Sequence, residues 1–159
     1  MPVSDFIKNL RTKIGHDLLH LIGVSGVVIN DQQEVLLVNS KERGMWMPIG
    51  GMVEPGEEPA DAIVREVFEE TGVKVVPQRL VGVYDGPTVT YKNNDQVRYI
   101  SIVFRCRPIG GNPHVHDDEN TDVRYFPLAA LPELRADHRR NIDHAMLDQP
   151  AAIFVTRSG

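Results

Sequence analysis

Between positions 50 and 73 the chain reads GGMVEPGEEPADAIVREVFEETGV, and this stretch restricts the fold most tightly. It opens with glycines and prolines, as a loop does, and closes as a short amphipathic helix. Pro59 suits a first helical turn, where its missing N–H costs nothing. Gly72 suits the stop, because glycine takes the left-handed conformation cheaply. At 3.6 residues per turn, Ala60, Ile63, Val64, Val67 and Phe68 share one side. Glu66, Glu69 and Glu70 fall on the other, with Arg65 at its edge. Like charges three and four apart destabilise an isolated helix, and carboxylates near its C-terminus oppose the helix dipole. Two carboxylates about 4 Å apart repel by roughly 4 kcal/mol at an effective dielectric of about 20. A solvated acidic face is one explanation of the run. A divalent cation between the side chains is the other, and hard oxygen donors suit magnesium or manganese rather than zinc. Gly50, Gly51 and Gly56, with Pro48 and Pro55, are costly choices for a merely solvated helix and favour the second.

The order Gly51, five residues, Glu57, seven residues, Arg65-Glu66-Val67, one residue, Glu69-Glu70, one residue, Gly72-Val73 resembles the complete signature of the MutT-like Nudix hydrolases. It covers the 23 residues from 51 to 73. One departure precedes it: the family often has tryptophan, two residues and Pro-Gly-Gly, where this chain has Trp46-Met47-Pro48-Ile49-Gly50-Gly51. The resemblance implies an α/β/α sandwich with a mixed sheet between helices. It also implies metal-dependent cleavage of the diphosphate bond in a nucleoside diphosphate linked to another group. Glu66, Glu69 and Glu70 would be the metal set for Mg2+ or Mn2+, with Glu57 and Glu119 as further oxygen donors. Arg65 would orient that set through ion pairs. Glu69 or Glu119 would act as general base, or the metal ions would generate hydroxide with little direct help from a base, and Gly50 and Gly51 would give the substrate close access to backbone.

The substrate's second group is less constrained. Pro87, 14 residues after Val73, falls where ADP-ribose-cleaving relatives tend to have proline. Tyr91, 18 residues after Val73, falls where dinucleoside-polyphosphate-cleaving relatives often have tyrosine. The balance leans to an ADP-ribose-type compound, with nucleoside triphosphate cleavage close behind. A non-catalytic nucleotide-binding domain is the further alternative, although no box glutamate is missing. A diphosphate isomerase of related fold would need a catalytic cysteine, and Cys106, in an apolar strand, is the only one. Tyr84, Tyr91, Tyr99 and Arg98 are candidates to stack on or pair with the nucleotide; each is equally an ordinary strand residue.

Around the box, Ser4 can cap a helix presenting Phe6, Ile7, Leu10 and Ile14. It forms an N-terminal helical extension over 1–22, which would pack on the domain or make a homodimer contact. The Nudix domain would then run over 23–159. His16 and His20, four apart, would meet if that helix continued. Strands are expected at 23–29 and 34–39 as a hairpin, and at 97–106, with a hairpin turn at Asn93-Asn94. Pro77 should interrupt the segment after the box, and Asp85-Gly86-Pro87 should turn it. A loop is expected over 108–122 carrying His114, His116, Asp117, Asp118 and Glu119, then a short strand at 124–126 and a helix over 132–147.

A chain of 159 residues is most simply one domain. Its net charge of -5 disfavours a nucleic-acid polymer, which wants a basic face. It permits a small phosphate ligand, since bound cations invert local charge. No apolar run reaches the length of a membrane span, no signal-like core opens the chain, and one cysteine gives no intramolecular disulfide. A cytoplasmic location is the expectation.

Overall fold

The computed structural model describes residues 3–156. Its elements are α1 (Asp5–Ile14), β1 (Leu19–Val28), β2 (Glu34–Ser40), β3 (Met45–Met47), β4 (Ile49–Met52), α2 (Pro59–Thr71), β5 (Lys74–Thr90), β6 (Gln96–Gly110), β7 (Asn120–Pro127), a 3-10 turn (Leu128–Ala130) and α3 (Ala136–Met146). One sheet has the order β4-β1-β6-β5, with β1 and β6 parallel and the other pairs antiparallel. The second, β3-β2-β7, is antiparallel throughout. Helices cover this mixed strand layer on both faces, which is the α/β/α sandwich.

Period-2 alternation explains how one strand layer serves two cores. Val24, Val28, Leu36 and Val38 pack with Ala62, Ile63 and Val67 of α2. Their neighbours Val27, Ile29, Val35 and Leu37 pack with Ile142 and Ala145 of α3. The near-continuous apolar runs of β1 and β2 are therefore those of strands buried on both sides. Cys106 is fully buried in the first core, and burial pushes its thiol up to about 12, so it is packing material.

The helix α2 begins with Pro59 and ends on Gly72, whose φ of 70° is left-handed. A Cβ there would also lie 2.2 Å from the His114 ring. Although α2 has no basic residue in its last turn, His116 Nδ1 lies 2.9 Å from the Phe68 carbonyl oxygen. The His116 ring thus caps the end of the helix, and the His114 backbone N–H donates to the Thr71 carbonyl oxygen at 3.1 Å.

Several expected boundaries move. The N-terminal helix is capped by Ser4 and stops at Gly15, while Leu19, Leu21 and Ile22 already belong to β1. A division after residue 22 would cut that strand. His16 and His20 separate accordingly: His16 lies 2.7 Å from Asp95, and His20 neighbours Asp85 at 4.0 Å. Arg11 donates to the carbonyls of Gly15, Asp17 and Gln96, tying α1 onto its own domain. β1 and β2 are not a hairpin; past the single Ile29–Val35 bridge they enter different sheets. Pro77 does not end β5. As an edge strand, β5 tolerates a missing N–H, and the register shifts between Pro77 and Arg79 and again between Asp85 and Thr88. The expected turn at Asp85-Gly86-Pro87 is one of these irregularities. The chain turns at 91–95, as Asn93-Asn94 led one to expect, and Asn94 has φ 69° there. Extension of β6 and β7 shortens the long loop to 111–119, and α3 starts at Ala136 rather than 132.

Candidate active site

Gly50 and Gly51 lie within β4, paired to Ser25 and Val24 of β1, and not in a loop. The loop proper is 53–58. Strand geometry brings Gly51 against α2 so closely that a Cβ would sit 2.2 Å from the Glu66 carboxyl carbon and 2.2 Å from its Oε1. Glycine at 51 is therefore the space in which the Glu66 carboxylate rests.

The acidic face of α2 is largely not solvated. Glu66 is 3% exposed and Glu70 9%, while the Glu69 side chain is 43% exposed. Phe68, expected inside, is exposed instead. Arg65 gathers the cluster. Its Nε donates to Glu57 Oε1 at 2.8 Å and its Nη2 to Glu57 Oε2 at 2.9 Å. Its Nη1 donates to Glu66 at 2.7 Å and to Glu69 at 3.2 Å. Glu57 Oε2 also accepts from the Glu54 backbone N–H at 3.1 Å, which closes the loop before α2.

These contacts set the charges. The Arg65 hydrogen bonds hold the Glu57 carboxyl below its usual range, and the Arg65 guanidinium is raised by its bonds to Glu57 and Glu66. Burial raises Glu66 despite its ion pair with Arg65. Glu70 is pushed up to about 8, first by burial and then by the Glu66 and Asp117 charges, against a lowering hydrogen bond from Asn120. That bond runs from Asn120 Nδ2 to Glu70 Oε2 at 2.9 Å, and the same amide reaches Asp117 at 3.2 Å. Asn120 was not singled out from the sequence. An asparagine beside an acidic run carries no sign that it will be buried against one of the box glutamates.

A cavity of about 850 Å3 opens beside this cluster. Gly50, Gly51, Glu70, Glu119, Pro87 and Tyr91 all line it. Arg98 does not line it; its guanidinium pairs with Asp85. Glu57, Glu66 and Glu69 lie outside the lining and are bound to Arg65. Among the described residues no group of three or more His, Cys, Asp or Glu side chains is arranged so that it could hold a metal ion.

Residues 19–146 match the family model of the NUDIX domain. The chain is 37% identical over 119 residues to a MutT-like protein of Streptomyces ambofaciens, covering 75% of this chain and 71% of that protein. It is 35% identical over 128 residues to an ADP-ribose pyrophosphatase of Methanocaldococcus jannaschii, covering 79% and 72%. Among solved structures, the MutT NUDIX hydrolase of Burkholderia pseudomallei superposes with a TM-score of 0.67 at 25% identity, over 79% of this chain and 98% of that one.

Proposed function

The chain belongs to the NUDIX family, and on that premise we propose that it is a magnesium-dependent pyrophosphohydrolase with ADP-ribose-type compounds as its preferred substrates. At the coarser level it is a hydrolase of phosphoric anhydride bonds in nucleoside-diphosphate-linked compounds. The observation that carries the reading is the pair Glu66 and Glu70. These carboxylates sit one helical turn apart, both buried and both raised by burial, with Glu70 lining the cavity.

Buried carboxylates held toward their neutral form are a liability that a cation reverses. The donors are all hard oxygens, so the set fits Mg2+ or Mn2+ by its chemistry. Glu66, Glu69 and Glu70 would hold the ion, with Glu57 and Glu119 as flanking oxygens. When bound, such an ion neutralises phosphate charge and acidifies water.

The chain's own residues do the rest. Arg65 fixes Glu57, Glu66 and Glu69 in one hydrogen-bonded unit, and Asn120 fixes the orientation of Glu70. Glu69, the most exposed of the three helix glutamates, or Glu119 in the cavity wall, accepts a proton from the attacking water. The water oxygen bonds to one phosphorus, the bridging P–O bond breaks, and the second phosphate leaves with the electron pair. Gly50 and Gly51 present backbone to the diphosphate.

Pro87 and Tyr91 both line the cavity, so both positions singled out for substrate choice reach the ligand space. The relative named as an ADP-ribose pyrophosphatase supports the lean; the one named MutT-like supports triphosphate cleavage as the second reading. A magnesium- and manganese-supported panel decides between them. It comprises ADP-ribose, NADH, dinucleoside polyphosphates, canonical and oxidised nucleoside triphosphates, and sugar nucleotides. The highest kcat/KM on ADP-ribose, with AMP and ribose 5-phosphate as products, is expected. Preference for a triphosphate, with release of pyrophosphate, would establish the second reading instead.

A further inference from the structure

The turn between β2 and β3 meets the turn between β5 and β6 at a side pocket of about 210 Å3, lined by Glu42, Arg43, Val89, Thr90, Tyr91 and Lys92. All of these but Thr90 also line the main cavity, so the pocket opens off the space beside Glu70 and Gly51. Both turns are braced. The Gly44 N–H donates to the Ser40 carbonyl oxygen at 2.7 Å, and the Arg43 N–H to Ser40 Oγ at 3.3 Å. In the other turn, the Tyr91 N–H donates to the Asp95 carbonyl oxygen and the Asn94 N–H to that of Tyr91, both at 2.9 Å. The cations these turns carry are left over. Arg11, Arg65, Arg98, Arg124, Arg135 and Arg139 each pair with a carboxylate. Among the described residues, the Arg43 guanidinium and the Lys92 ammonium have no such partner. Arg43 is half-buried. Burial raises the Tyr99 hydroxyl and lowers the His138 imidazole, and the Arg43 charge reaches both, so it projects over the cavity that they line. Asp95 is already paired with Arg11 and His16. Lys41, Arg43 and Lys92 against Glu42 leave a net +2 in the cavity wall. Cations at the box glutamates would neutralise a diphosphate, which leaves these side chains to meet a different anion. A phosphomonoester carries about -1.5 to -2 at pH 7 and three acceptor oxygens, and the planar fork of an arginine matches it.

We propose that Arg43 and Lys92 hold a phosphomonoester on one of the substrate's sugars, with the Thr90 hydroxyl as a further donor. An ADP-ribose-type diphosphate bearing an added phosphate on a ribose hydroxyl then fits this protein better than ADP-ribose itself. The proposal rests on the reading of the main cavity as a nucleoside-diphosphate site.

Calorimetric titration at fixed free magnesium tests it. One series of probes is AMP, adenosine 2′,5′-bisphosphate and adenosine 3′,5′-bisphosphate; the other is ribose 5-phosphate and ribose 1,5-bisphosphate. The proteins are wild type, Arg43→Gln, Lys92→Gln and Lys74→Gln, the last removing an exposed cation outside both cavities. At least one bisphosphate should bind wild type about 10- to 100-fold tighter than its monophosphate, and the series in which it falls identifies the sugar that faces the side pocket. Arg43→Gln and Lys92→Gln should each cut that ratio at least about fivefold while leaving the monophosphate within about twofold of wild type. Lys74→Gln should change neither. No bisphosphate preference in wild type, a preference that survives both pocket substitutions, or an equal loss in Lys74→Gln would overturn the proposal. Hydrolysis of the diphosphate panel measured in parallel separates the two readings. An inactive protein whose bisphosphate preference depends on Arg43 refutes the enzymatic reading alone, whereas an active protein without that preference refutes this one.

Discussion

Replacing Glu70 by Gln should make the metal-free protein more stable at alkaline pH while removing its response to magnesium. Glu70 has its carboxyl raised from 4.5 to about 8. A carboxyl raised on folding contributes stability that is complete below its unfolded value and is lost as pH climbs through the folded one. For Glu70 the window runs from pH 4.5 to about 8. At 1.36 kcal/mol per pH unit, this corresponds to about 5 kcal/mol above pH 8. Glutamine keeps an oxygen for the Asn120 amide and never ionises. Melts in EDTA from pH 5 to 9 should show wild type losing stability with rising pH, with the variant flat by comparison. At pH 8.5 a gain of about 5 kcal/mol would raise Tm by roughly 10–20 °C for a chain of this size. Magnesium should raise the wild-type Tm and leave the variant nearly unmoved, with kcat/KM down at least about 100-fold. Parallel pH profiles for the two proteins, or full magnesium stabilisation of the variant, would refute this reasoning.

Arg65→Met should strand the buried Glu66 beside unpaired carboxylates. Unfolding in urea should show a loss of about 3 kcal/mol, and kcat/KM should drop about 100-fold from the displaced set. Gly51→Ala puts a methyl group where the Glu66 carboxylate rests. Activity should fall by about 100-fold with an unchanged far-UV circular dichroism spectrum, and retained activity would contradict the packing described. Cys106, buried with its thiol pushed up to about 12, should ignore Ellman's reagent in the native protein and react fully in guanidinium. Rapid native labelling would contradict its place in the core.

The helix was legible because its start, stop and apolar stripe are written in local residues: Pro59, Gly72, Ile63 and Val67. Legible too was the double burial of β1 and β2, from their unbroken apolar runs. What stayed hidden depends on distant partners. Glu66 and Glu70 read as a charged outer face because nothing local announces that Gly51 and Asn120 will close over them. Pro77 and Asp85-Gly86-Pro87 read as breaks because their place on an edge strand, where bulges are tolerated, is a property of the sheet. β1 and β2 read as a hairpin because adjacency is the commoner outcome, yet their ladders are filled by β6, β4, β3 and β7. His138 and Asn141 could be placed on a helix, but their role in the cavity wall needs α3 seated against the strands.

The most direct test of the central claim is a phosphorus NMR time course of ADP-ribose with the purified protein, in magnesium and in EDTA. In magnesium the diphosphate resonances should give way to two phosphomonoester signals, those of AMP and ribose 5-phosphate, and Glu70→Gln should hold them unchanged. In EDTA the diphosphate should persist. Turnover indifferent to magnesium and to Glu70, or an intact diphosphate here and with every other compound of the panel, would contradict a metal-dependent pyrophosphohydrolase built on the α2 glutamates.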